Sequence, residues 1–441
     1  MNSHSAPGSE GGLLRVMGSL AVAAGIINIT VGGGIFRLPS SVAWQLGASA
    51  PLAYLVCALA IGLVALCFAE AGSRVDLTGG PYAYVEVAFG RLVGFLTGSL
   101  LWVVGTLALA AVATILADSI GGFAPSLGTP AARAVIITAA FTVLTAVNIL
   151  GVRNGSRLNV VLTVAKLAPL LLLGIAGAFF IDPGNFRSAV PLEPAALART
   201  STLLIFAFAG IETALVPSGE IRDNARTVPR ALLIAMVTVT VLYLLLQVVA
   251  QGILGPDLGT QATPLAEAAG RAFGPGGRTL LLVGAAVSML GYVGGMILAV
   301  PRVLFAFGRD GFLPRAVGRV HSRYHTPWVA IVLQAVISGA LALSNGFERL
   351  AILANLTTLL VYAACCAAVL QLRRRGVEAG GRPFRIPGGR LVPFAALLAI
   401  GWLLTSITAR EWLVAAAVLV VALAIYLLEA MRRPVPGEEQ P

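Results

Sequence analysis

Charge is scarce in this chain: of 441 residues only 11% are Asp, Glu, Lys or Arg, against about a quarter in an ordinary soluble domain. With 58% hydrophobic residues there is too little polar surface to cover a globule of this size. A water-soluble fold is excluded and the bilayer is left as the solvent. Cysteine is scarce as well, and all four, Cys57, Cys67, Cys365 and Cys366, stand in apolar runs. That placement excludes a disulfide framework or a metal spacing and reads as small buried hydrophobes. Of the three histidines, His321 and His325 are four apart but lack a third ligand, so no metal and no cofactor is expected. The apolar runs carry no Ser/His/Asp set and no HExxH, which argues against an enzyme. A repeated filter or charged ring, which a channel needs, is also missing. Met1 to Gly12 are small and polar and lack the basic start and cleavage site of a leader, so the first apolar run is expected to be a retained helix. Net charge is +11, yet no soluble basic domain exists to concentrate it, so nucleic acid is not an expected partner.

What is present is a series of long apolar runs. A spanning helix needs about 20 apolar residues, and runs bounded by Pro, Gly and charge place helices near 14–38, 49–72, 91–117, 131–150, 158–181, 197–219, 230–254, 278–307, 327–344, 347–370, 391–408 and 411–430. The expected fold is an all-α integral membrane protein of twelve transmembrane helices. If the amino terminus is cytoplasmic, 21 arginines fall on the inner side and 8 on the outer, which the excess of basic residues in cytoplasmic loops favours. Both termini, 1–13 and 431–441, are therefore assigned to the cytoplasm of a cell with a bacterial-type inner membrane.

The first run is interrupted at its midpoint by Gly32-Gly33-Gly34, where each glycine costs a helix roughly 1 kcal/mol relative to alanine. A broken helix survives at membrane depth only where its freed backbone lines a cavity or finds polar partners; close packing of helices through small residues is the alternative. The sixth run has a counterpart in Phe206-Ala207-Phe208-Ala209-Gly210-Ile211-Glu212. Two interrupted helices at corresponding places in two halves point to a transporter site. Helices 1–5 (14–181) and 6–10 (197–370) would form a five-plus-five inverted repeat with helices 1 and 6 broken, and helices 11–12 (391–430) would lie outside it. N–H groups near Gly33, Gly34 and Ile35 would face an anion through the helix dipole. Carbonyls near Phe206, Ala207 and Ala209 would accept from an ammonium group. An α-amino acid carries both groups on one carbon, which makes amino acids the expected substrate, with Ile29, Thr30, Gly32 and Ile211 beside them.

Two buried charges stand out. Glu212 must be protonated, paired or water-facing at its depth, either in coupling or as a neutral acid between helices 1 and 6. Lys166, the sole lysine among 30 cations, sits in VVLTVAKLAPLLLL. Burial disfavours a charged amine, so it is either a proton switch or a fixed bridge between backbone carbonyls. Trp102 and Tyr292 are possible pocket lining, although aromatics at helical spacing are more often packing. Arg373-Arg374-Arg375 reads as an orientation signal in contact with anionic lipid headgroups.

The Gly32–Phe36 break resembles helix one of the amino acid–polyamine–organocation permeases. Glu70 through Gly79-Gly80-Pro81-Tyr82-Ala83-Tyr84 to Phe89-Gly90 is similar to the loop after their helix two. Phe206–Glu212, Glu220 and Asn224–Arg230 resemble their sixth helix and the loop behind it. Arg302–Pro314, with Gly308-Arg309-Asp310-Gly311 inside it and Thr326-Pro327 after it, resembles the loop after helix eight. The resemblance implies the LeuT-type fold, backbone binding of amino acids at both breaks, and alternating access. It also implies that Lys166 matches a helix-five lysine that occupies the place of a sodium ion in proton-coupled and exchanger branches, so sodium is not an expected partner and transport is expected to be coupled to protons or to run by exchange. One departure is Gly33, where the family usually has Ser or Thr. The apolar Ile29, Phe206 and Ile211 favour a neutral amino acid; a cationic amino acid or polyamine is the alternative.

Overall fold

The computed structural model describes residues 18–75, 80–150, 155–186, 192–211, 224–309, 311–324, 326–378 and 383–432. Among these residues the regular structure is entirely helical. The first run divides into α1 (Ser19–Thr30) and α2 (Gly34–Leu46), and then follow α3 (Ala50–Arg74), a short α4 (Pro81–Phe89) and α5 (Arg91–Gly121). Next come α6 (Pro130–Leu150), α7 (Gly155–Ala176), α8 (Pro194–Phe208), α9 (Asn224–Leu254) and α10 (Pro264–Ala299). The chain ends with α11 (Pro301–Arg309), α12 (Trp328–Ser344), α13 (Phe347–Arg374), α14 (Leu391–Leu404) and α15 (Ala409–Arg432). Seven helical stretches among the described residues are long and apolar enough to cross a bilayer, and four shorter apolar helices accompany them.

Two elements differ from the pattern expected of the sequence. The helix α4 was not expected, and its punctuation explains it: Gly80 at φ 58° precedes Pro81 in the first turn, and Gly90 at φ 90° ends it. The run expected from 278 begins earlier, at Pro264, because α10 continues through a kink where Gly274 (φ 77°) is followed by Pro275. Proline cannot donate to the preceding turn, which is why the axis bends there.

The interior is built where α5 packs on α13 and α10, and where α3 and α1 pack on α9. By contrast, only 11% of the apolar stretch is buried in α6 and in α15, and their outward Val135, Val143, Leu413 and Val420 are more than half exposed. Such all-round hydrophobicity with an open face is what lipid contact requires. The four cysteines are free and buried, as expected of small apolar side chains.

Near one end of the bundle lies a buried ionic node. Glu70 of α3 is fully buried; Oε1 accepts from Arg74 Nε at 3.0 Å and Arg373 Nε at 2.7 Å, and Oε2 from an Arg373 terminal nitrogen at 2.6 Å and the Ile386 N–H at 3.0 Å. Ser73 Oγ accepts from the Phe384 N–H at 3.0 Å, and an Arg74 terminal nitrogen donates to Val377 O at 3.2 Å. The node thus ties α3 to α13 and to the chain leading into α14. It corrects the reading of Arg373 as a lipid contact: a fully desolvated carboxylate one helix away draws it inward.

Candidate substrate site

The first helix stops at Thr30 and resumes at Gly34. Val31 N–H closes on Ile27 O at 2.8 Å, Gly32 N–H turns back to Thr30 O at 2.7 Å, and Gly33 O accepts from Phe36 at 3.1 Å. The N–H groups of Gly34 and Ile35 therefore open the first turn of α2 without an intrahelical acceptor. In α8 the helix ends at Phe208, Ala209 is extended (φ −66°, ψ 153°), and Gly210 takes φ 115°. A side chain on Gly210 would also come within 2.8 Å of Ile29 Cγ2, so the two breaks touch. Gly34 does the same from the other side, its missing Cβ lying 3.0 Å from Ala207 Cα.

A cavity of about 1140 Å³ starts at this junction. Of the residues singled out from the sequence, Ile29, Thr30, Gly32, Gly33, Gly34, Phe206, Ala209, Trp102 and Tyr292 line it. Ile35, Ala207 and Ile211 do not, and are buried behind the wall. Glu212 lies outside the described residues. Phe206 is held edge-on to Phe347, with centroids 5.3 Å apart. Trp102 turns its indole N–H away to Gln334 Oε1 at 2.7 Å, so it presents an apolar ring to the space. From the breaks the cavity runs to Arg302 and to the exposed Arg91 and Arg309. The opposite end is shut: Ser40 donates to Gly259 O at 2.9 Å, Arg37 to Gln261 O at 3.2 Å, and Ser41 to Glu348 Oε1 at 2.7 Å.

The missing hydroxyl at Gly33 has a physical counterpart. A Cβ there would sit 2.9 Å from Met289 Sδ, 3.0 Å from Val112 Cγ2 and 3.1 Å from Ile115 Cδ1. The space that Ser or Thr would occupy is filled by larger apolar neighbours. Lys166 is buried outside the cavity, and its ammonium donates to Asn28 O, two residues before the end of α1. It thus satisfies a carbonyl next to the break. His321 Nδ1 accepts from Arg323 and Tyr324 backbone N–H groups in its loop, His325 lies outside the described residues, and among the described residues no His/Cys/Asp/Glu group is arranged to hold a metal.

The sequence reading missed the residue that joins the breaks. Tyr243 of α9 is fully buried, and its hydroxyl lies 2.8 Å from Thr30 O and 3.0 Å from Ala207 O. One phenolic proton serves the final carbonyl of α1 and a carbonyl in the last turn of α8. The Ala207 carbonyl, expected to receive an ammonium group, is therefore already met by Tyr243. A signal was available: Tyr243, Gln247 and Gln251 recur every four residues in an otherwise apolar run, a polar stripe on one helix face. Gln251 continues this stripe by donating to Gly47 O at 2.7 Å.

Residues 17–431 match the model of the family described as amino acid permease. The chain belongs to the amino acid permease family. Among the relatives of this permease are the methylthioribose transporter of Bacillus subtilis (27% identical, covering 88% of this chain and 87% of the relative) and the branched-chain amino acid permease of the same organism (26%; 96% and 94%). The serine/threonine exchanger of Bacillus subtilis is 28% identical, covering 89% and 90%. Family and apolar helices together make the permease a multi-pass membrane protein.

Proposed function

We propose that this permease is a secondary active transporter that moves neutral amino acids across the inner membrane by alternating access, with a five-plus-five inverted repeat, twelve spanning helices and both termini in the cytoplasm. The observation that carries the reading is the meeting of two helix breaks at the head of one cavity. N–H groups without an intrahelical acceptor at the start of α2 suit the substrate carboxylate, and the α8 break lies opposite to take the ammonium group. The carbonyls of Phe206 and Ala209 remain the expected acceptors, since Ala207 O is taken by Tyr243. The arginine asymmetry assigns the Arg91, Arg302 and Arg309 end to the cytoplasm. On that assignment, the open cavity and the sealed contacts of Arg37, Ser40 and Ser41 describe an inward-facing form.

Coupling by protons or by exchange, without sodium, follows from Lys166, whose ammonium occupies a carbonyl beside the α1 break as a bound cation would. Glu212 stands next to the α8 break in sequence and is assigned to coupling. Purified protein in liposomes, offered a labelled panel of neutral and cationic amino acids with methylthioribose, with and without an inward proton gradient or sodium, tests the reading. Uptake of neutral amino acids indifferent to sodium is expected. Sodium-dependent uptake, or uptake confined to methylthioribose or to cations, contradicts it.

A further inference from the structure

Three residues that line the cavity each hold a buried side-chain oxygen without a hydrogen-bond partner among the described residues: Thr30 Oγ1, Asn355 Oδ1 and Thr358 Oγ1. Their residues are only 3%, 1% and 2% exposed. Buried polar atoms are nearly always paired, and one left alone loses its hydration without compensation. The ordinary remedy for a helical threonine is close at hand, since Thr97, Thr106 and Thr357 each give the hydroxyl to the carbonyl four residues back. Thr30 and Thr358 do not take it. The free end of Asn355 is equally well defined, because Nδ2 donates to Thr202 O at 2.8 Å and Leu203 O at 3.1 Å. Those carbonyls can only accept, so the amide oxygen is the end left over. Asn355 and Thr358, three residues apart on α13, share one helix face. Ser201, Ser288 and Gln247 also keep an unpartnered atom, but none of them lines the cavity.

We infer that Asn355, Thr358 and Thr30 form a side-chain subsite selecting neutral amino acids that carry a hydroxyl or a carboxamide; this rests on the reading of the helix breaks as the site of the α-amino and carboxylate groups. Asn355 Oδ1 needs a donor, while each threonine hydroxyl can give or accept. A serine, threonine, asparagine or glutamine side chain offers both functions on one group. A carboxylate side chain brings acceptors only and meets the Asn355 oxygen lone pair to lone pair. A cationic side chain would look for an acid, and among the described lining residues the only one is Glu86, which lines the cavity with Arg91, away from the breaks. An apolar side chain fits the shape but leaves all three oxygens unpaired, which disfavours it beyond its size.

Threonine and valine separate hydrogen bonding from shape. In liposomes the unmodified protein is expected to take up threonine with an apparent affinity about tenfold better than valine, the value of one good hydrogen bond. Thr358→Val, nearly isosteric, should weaken threonine about tenfold and strengthen valine, so that the order inverts. Opposite movements of two substrates cannot come from a folding defect. Asn355→Leu, checked for monodisperse protein in detergent, should shift the ratio the same way. Equal affinities in the unmodified protein, or an unchanged threonine-to-valine ratio in Thr358→Val, overturns the subsite and leaves amino-acid transport standing. Uptake of no amino acid at all overturns both.

Discussion

Two buried polar regions of this permease have opposite states of completion. Around Glu70, both carboxylate oxygens are engaged by Arg74, Arg373 and the Ile386 N–H. On the cavity wall, Thr30, Asn355 and Thr358 each leave an oxygen unengaged. A closed network in a low dielectric fixes helices against one another and has nothing left to offer a ligand. An open one beside a cavity is a place for a ligand to finish. Burial of polar groups alone distinguishes neither; the state of their hydrogen bonds does.

The comparison breaks most visibly at the node. Glu70→Ala strands two guanidinium groups, so a loss of about 3–5 kcal/mol is expected, read as a large drop in unfolding temperature of purified protein or as absence of folded protein from the membrane. Retention of normal stability would place the node among dispensable ion pairs. Tyr243→Phe removes a single proton shared by two carbonyls and should cost about 1–3 kcal/mol, with transport slowed because the ends of α1 and α8 are no longer tied. Thermal unfolding and initial uptake rates check both halves. Smaller again is Gly33→Ala, whose new methyl meets the side chains of Met289, Val112 and Ile115 and no backbone. It should weaken substrate affinity only a few-fold while the protein stays intact, measured as the half-saturation of uptake.

Much of the architecture was legible because glycine and charge punctuate the apolar runs. The α1 break was visible in Gly32–Gly34, and the α8 break in Gly210 within Phe206–Glu212. Lys166 was visible as a lone cation at depth, although its partner, the Asn28 carbonyl, was not. The Glu70 node was hidden because Glu70 and Arg373 lie 303 residues apart, and Arg373 inside an Arg-Arg-Arg run reads locally as a membrane-edge charge. Tyr243 and Asn355 escaped notice for a related reason. A polar residue within a spanning helix reveals that it needs a partner, but which carbonyl it meets depends on helix packing that no local pattern records.

Where the helix breaks touch, Gly34 approaches α8 so closely that an added methyl would meet backbone at Ala207, which cannot swing aside as a flexible side chain can. The direct measurement is equilibrium binding of the best-transported labelled amino acid to purified protein, unmodified and Gly34→Ala, each shown to be monodisperse. Saturable binding to the first and none to the second is the predicted result. Equal binding by both would contradict the placement of substrate at the breaks.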